Sequence, residues 1–194
     1  MLNSPSQSSK PIVDEIDRGR AREYALLASL LSRSPDSHLL SRLATVRGDA
    51  SPIGAVHAAL GEAAGREYFN LFAGLGGSSL LPYASRYLTG AAYGRPLARL
   101  RETLQHLGIE KAPEQSEPAD HAAILCEIMA GLVSGGIAAP AGADRVFFEE
   151  HLAPWIRRFF VDLEHAEAAD FYARLGRLGR TFVDVETEAF ALSS

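Results

Sequence analysis

Ser116-Glu117-Pro118-Ala119-Asp120-His121 leads directly into Ala122-Ala123-Ile124-Leu125-Cys126-Glu127-Ile128-Met129-Ala130-Gly131-Leu132-Val133. The second part is an apolar run with the length of a buried helix. The first part reads as its mouth. Proline suits the first helical position, where the missing amide has no intrahelical partner. A helix beginning at Pro118 would place Asp120 in the first turn, where the helix dipole favours negative charge. His121 would stand beside it, just before Ile124, Leu125, Ile128, Met129 and Leu132. Two readings are open. Asp120 completes a cap and His121 bonds a nearby carbonyl, or the two form a polar, acidic lip above an apolar surface. The second reading suits a peptide with a basic head and an apolar body.

The same helical spacing extends in both directions. From about Pro11 to Arg33, Ile16, Tyr24, Leu27, Leu30 and Leu31 recur mostly at three- and four-residue steps. Ser34-Pro35-Asp36 ends that helix, and a short one follows through Leu39, Leu40 and Leu43. After a break at Gly48–Pro52, a helix runs from Val56 through Leu60 and Tyr68 to Phe72, with Gly61 and Gly65 as its weak points. Gly74-Leu75-Gly76-Gly77-Ser78-Ser79 is too rich in glycine and serine to hold a helix. Leu80 to Leu88 reads as an apolar, aromatic, irregular segment that must pack on something. Helices are expected over Ala92–Leu107, from Pro118 to about Gly135, over Ala143–Leu152, onward from Pro154 through Leu163, and over Ala166–Phe190. No strand run and no solenoid repeat is evident. The expectation is an all-α, compact single-domain bundle of about eight to ten helices. The domain would span 11–194 behind a disordered tail at 1–10, with a possible hinge at 109–117.

Composition narrows the function classes. The chain has 194 residues, 47% apolar and 22% charged, with a net charge of −5. That charge argues against nucleic acid as a partner. No apolar run reaches the length that spans a bilayer, so stable membrane insertion is not expected. Residues 1–10 lack an apolar signal core, which suggests a cytoplasmic protein. The single cysteine, Cys126, cannot form an internal disulfide or, alone, a structural zinc site. Its place in an apolar helix suggests a buried thiol.

Templates for catalysis fail one by one. The glycines at 74, 76 and 77 are not followed by the Lys-Ser/Thr of a phosphate loop. The two Glu-x-x-His pairs of a di-iron bundle do not occur. Glu102/His106 and Glu117/His121 stand four apart, a spacing more common for surface pairs and caps than for metal ligands. No Gly-x-Ser-x-Gly elbow is present. Cys126 and His121 would face apart on one helix, which disfavours a nucleophile–base pair. No catalytic residue, metal or cofactor is expected. Tyr68, Phe69 and Phe72 read most simply as core. Tyr83 and Tyr87, in an irregular stretch, suit an interface, because tyrosine joins an apolar body to a polar tip. His151, Pro154 and Trp155 read as a helix break stapled by a buried ring.

Taken together, the pieces resemble the TorD/DmsD/NarJ-type redox-enzyme maturation chaperones. The likeness is carried by Glu67-Tyr68, Leu71-Phe72 and Gly74, then Leu81-Pro82-Tyr83-x-Ser85-x-Tyr87, then Glu117-Pro118-x-Asp120-His121. Phe147-Phe148-x-x-His151-Leu152-x-Pro154-Trp155 and Phe171-Tyr172 extend it over roughly residues 18–190. Two departures stand out. Ala84 replaces an acid found in many relatives, and Cys126-Glu127-Ile128-Met129 varies the usual Leu-Glu-Phe-Met.

The resemblance implies a cytoplasmic, non-catalytic, all-helical chaperone. Its partner would be the precursor of a molybdenum-cofactor oxidoreductase, held by its twin-arginine leader, its apo-form or both until the cofactor is inserted. Asp120 and His121 would carry recognition, and Glu117 and Pro118 would shape the turn. Tyr83, Ser85 and Tyr87 would line the site from the facing loop, with Phe72 nearby. The chain would act as a monomer or as a dimer swapped through the hinge. A helical adaptor that reads no leader, or a weak nucleotide-binding protein, are the alternative readings.

Overall fold

The computed structural model describes residues 14–36, 39, 54–72, 80–111, 116–167 and 169–192. The tail at 1–10, the breaks at 48–52 and 74–79, and the helix expected through Leu40 and Leu43 lie outside the described residues. So do residues 112–115 of the expected hinge.

Eight α-helices occur among the described residues: α1 (Glu15–Ser32), α2 (Gly54–Phe72), α3 (Ala84–Thr89), α4 (Arg95–His106), α5 (Ala122–Val133), α6 (Ala143–Phe147), α7 (Ile156–Glu164) and α8 (Phe171–Leu192). One π-helical turn, Phe148–Leu152, follows α6 directly. No strand forms among these residues beyond a single isolated β-bridge. The all-α class expected from the sequence is what the chain adopts.

α5 is the centre. Ala122, Ala123, Leu125, Cys126, Ile128, Met129 and Val133 are all buried, as a helix apolar on nearly every side must be. α1 packs along it. Asp14 caps α1 by accepting a hydrogen bond from the Asp17 amide at 2.8 Å. The helix then buries Ala21, Tyr24, Leu27, Ala28 and Leu31 on one face.

A second pair, α7 against α8, is built on Ile156, Phe159, Phe160 and Leu163, all fully buried. Each such side chain stabilises the fold by roughly 2 kcal/mol. Gly176 and Gly179 allow the close approach: a Cβ at Gly176 would collide with the Glu164 backbone, and one at Gly179 with the Phe160 ring.

Two expectations need correcting here. Leu80–Leu88 is not irregular throughout, because α3 begins at Ala84. The helix expected from Pro118 begins four residues later, with His121 as its N-cap. Pro118 instead sits in the preceding turn, where its carbonyl accepts from the His121 amide at 3.1 Å. Smaller shifts affect three other elements. α4 starts at Arg95 rather than Ala92, α8 starts at Phe171 rather than Ala166, and the Ala143–Leu152 helix changes to π pitch at Phe148. The π turn is closed by the Ala153 amide donating to the Phe148 carbonyl at 2.8 Å. It releases the His151 carbonyl to accept from the Trp155 indole N–H, also at 2.8 Å. This is the stapled break read from the sequence.

Candidate functional site

Two motifs 38 positions apart in numbering, at Tyr83 and His121, are joined by that one β-bridge. The Ala84 amide donates to the Asp120 carbonyl at 3.0 Å, and the Ala122 amide donates to the Pro82 carbonyl at 2.8 Å. The start of α3 and the start of α5 are therefore clamped side by side. Each helix opens with unsatisfied amides, and each finds a local cure in this clamp.

Asp120 is the centre of the clamp. It is 1% exposed, and its Oδ2 accepts from the Ser85 amide at 2.9 Å. A carboxylate at the first turn of α3 satisfies an orphan donor and complements the helix dipole. His121 caps α5 in the same manner, its Nδ1 accepting from the Ala123 amide at 3.1 Å. That bond requires an unprotonated Nδ1. Burial lowers the His121 pKa below the ordinary value, against an opposing pull from Glu117 and Asp120. Ser85 is also buried, and its hydroxyl oxygen accepts from the Tyr93 amide at 3.2 Å. Tyr93 has φ 69°, an uncommon conformation for a residue with a side chain.

Above this buried base lies an exposed pair. The Tyr83 hydroxyl donates to Glu117 Oε2 at 2.5 Å. Burial, then the bond to Glu117, raises the Tyr83 pKa, so the phenol stays protonated. The Tyr83 ring meets the His121 ring edge-on, 5.2 Å between centroids. Glu117 itself is exposed. It is the acid of the motif that an approaching cation would meet.

Tyr68 joins this group electrostatically. Its pKa is raised by burial and by the Glu117 charge, and its hydroxyl donates to the Ser32 carbonyl at 3.1 Å. The Tyr68 ring continues into Phe72 at 5.1 Å and Tyr172 at 6.0 Å. Phe72 thus belongs to an aromatic shelf adjoining the acidic pair. Phe69, read as core alongside these residues, is instead 54% exposed, because it lies on the outer face of α2.

Tyr87 is drawn elsewhere. Its hydroxyl donates to Asp162 Oδ2 at 3.0 Å. Its ring lies 5.5 Å from Trp155 and 5.9 Å from Phe159. The expected set therefore divides in two: Tyr83, Ser85, Glu117, Pro118, Asp120 and His121 gather at the clamp, while Tyr87 packs against α7. Sequence reading took Tyr68 for core and passed over Asp162. Tyr68 shares helical spacing with core residues, and Asp162 sits in an ordinary amphipathic pattern on α7.

Among the described residues no group of three or more His, Cys, Asp or Glu side chains could hold a metal ion. No described helix is long and apolar enough to cross a membrane. Cys126 is buried, which pushes its thiol up to about 12, far from a reactive thiolate.

Comparison with known proteins places the chain. Residues 19–161 match the model of the nitrate reductase delta subunit family, and the chain belongs to that family, which takes in the TorD- and NarJ-type proteins. Among curated relatives, the chaperone protein TorD of Aliivibrio fischeri is 30% identical over 64% of this chain and 63% of its own length. The chaperone protein TorD of Shewanella loihica is 27% identical over 93% of this chain and 98% of its own. The chain thus spans under two thirds of the first relative and nearly all of the second. A solved structure of a redox enzyme maturation protein from Archaeoglobus fulgidus superposes with a TM-score of 0.53, covering 92% of this chain and 99% of that one at 22% identity. That likeness shows a shared fold.

Proposed function

We propose that this chain is a maturation chaperone for a molybdenum-cofactor oxidoreductase. It acts in the cytoplasm, binds the twin-arginine leader or the apo-form of the precursor, and assists cofactor insertion before export. It works as a binding protein rather than an enzyme. The observation that carries this reading is the clamp between Pro82–Ala84 and Asp120–Ala122, beside which the exposed Glu117 carboxylate is held by the Tyr83 hydroxyl.

The clamp also suggests how labour is divided. Asp120 and His121 are buried and spend their acceptors on the amides of α3 and α5. They shape the turn, and the exposed Glu117 meets the leader. A guanidinium can pair with a carboxylate through two charge-assisted bonds, which an ammonium cannot match. The aromatic shelf of Tyr68 and Phe72 would take the apolar part of the leader.

Calorimetric titration with a synthetic leader peptide tests this. The Arg-Arg peptide should bind, and a Lys-Lys version should bind about tenfold more weakly. Glu117→Gln should remove most of that difference. Equal binding of both peptides would reject leader reading and favour a helical adaptor.

A further inference from the structure

A small cleft opens beyond the clamp, lined by Leu80, Leu81, Arg86, Tyr87, Arg158 and Asp162. Its volume is about 190 Å³. Whole small molecules occupy pockets of roughly 300 Å³ or more, so this space suits a single functional group.

The charges are distinctive. The Arg158 guanidinium lies 5.5 Å above the Tyr87 ring, and Arg86 donates to the Gly90 carbonyl. Neither arginine forms an ion pair among the described residues. This contrasts with Arg20, Arg145, Arg157, Arg174, Arg177 and Arg180, each paired with a carboxylate. Asp162 is held by the Tyr87 hydroxyl. Among the described lining residues two guanidinium groups stand against one carboxylate, a single net positive charge beside two leucines.

We propose that this cleft receives one acidic side chain, flanked by apolar residues, from the client polypeptide. The proposal rests on the chaperone reading for the identity of that polypeptide. The excess charge matches one carboxylate, whereas a doubly charged phosphate would leave net negative charge beside Asp162. Planar guanidinium groups suit a carboxylate in two-point geometry. Leu80 and Leu81 provide contact for the flanking residues. Arg86 and Tyr87 stand on the same short helix as the N-cap Tyr83. The acidic clamp and the basic cleft are therefore less than two helical turns apart along the chain.

The test is NMR titration of the full chain with three capped tripeptides, Leu-Glu-Leu, Leu-Gln-Leu and Leu-Lys-Leu. Saturable shifts at the Arg86 and Arg158 side-chain Nε–H groups with the glutamate peptide are expected. The glutamine peptide should bind about tenfold more weakly or not at all. Arg158→Gln and Arg86→Gln, each checked for unchanged thermal unfolding, should weaken binding similarly. Their exposed side chains make loss of folding at both positions an outcome that would itself contradict this assignment. Equal shifts with the glutamate and glutamine peptides would overturn the proposal. So would tighter binding of inorganic phosphate than of the glutamate peptide, which would mark a simple anion site. The leader titration is separate. A chain that binds the Arg-Arg peptide but not Leu-Glu-Leu loses only the cleft; the reverse result loses only leader reading.

Discussion

Among the described residues a tyrosine–glutamate pair occurs twice, in opposite surroundings. At the α1–α8 contact, Tyr24 donates to Glu186 Oε2 at 2.9 Å. At the clamp, Tyr83 donates to Glu117 Oε2 at 2.5 Å. Glu186 is 1% exposed, and Arg20 closes on both its oxygens at 2.8 and 3.0 Å. Burial by itself would lower the Arg20 pKa, but the bonds and charge of Glu186, with Asp17 and Asp144, raise it. The Arg20 guanidinium also rests 5.0 Å above the Phe190 ring. Among the described residues Glu117 has its tyrosine but no arginine, and it stays exposed. The same acid is a completed lock in one place and an unfilled socket in the other. The difference is whether the fold itself supplies the cation.

The largest expected effect is at the lock. Glu186→Ala should destabilise the chain by about 3 kcal/mol, because it strands a partly buried guanidinium and a buried phenol. The midpoint of urea unfolding measures this. If the midpoint hardly moves, the buried network is not structural and the contrast with the clamp fails.

Next comes the base of the clamp. Asp120→Ala should cost about 1–2 kcal/mol by leaving the Ser85 amide uncapped in a buried place. It should weaken leader binding as well, through misplacement of Tyr83. Asp120→Asn, which keeps an acceptor, should recover most of the stability while losing the charge. Recovery of binding alongside stability would confirm that Asp120 positions rather than touches the leader.

A smaller effect follows pH. The folded state holds His121 below its ordinary pKa by burial, so the unfolded chain takes up its proton first. The stability from neutral His121 is fully present above the ordinary histidine value of about 6.5. It is lost as pH falls through that value towards the depressed folded one. His151 is lowered by the same cause and contributes in the same direction. His121→Asn, which retains a capping side chain, should flatten part of this slope in unfolding curves between pH 7 and 5. An unchanged slope would assign the whole effect to His151.

Smallest of all for stability is the socket. Glu117→Gln should change the unfolding free energy by no more than about 0.5 kcal/mol, as expected for an exposed side chain. The same substitution should sharply reduce binding of the Arg-Arg leader. A large loss of stability at Glu117 would turn the socket into a second lock.

The sequence exposed most where the physics is local. The helices α1, α5, α7 and α8 show their three- and four-residue apolar steps, and Gly108 and Gly135 mark helix ends with φ 66° and 68°. α3 was hidden because Ala84–Thr89 has no amphipathic period of its own. Its first turn depends on a carboxylate 35 residues ahead. The start of α5 was misplaced for a related reason. Pro118 carries a first-turn signal, but the His121 amide is needed by the Pro118 carbonyl and the His121 ring by the Ala123 amide.

The sequence by itself determined the helical class, the family likeness and the two motifs that meet at the clamp, because spacing and composition are written along the chain. Only the tertiary structure decided which acid is buried and which is exposed. Asp120, Glu117 and Glu186 are all carboxylic acids in the sequence. Their roles diverge because burial and partners come from residues 35, 34 and 166 positions away, and no local pattern records what a distant segment will bring.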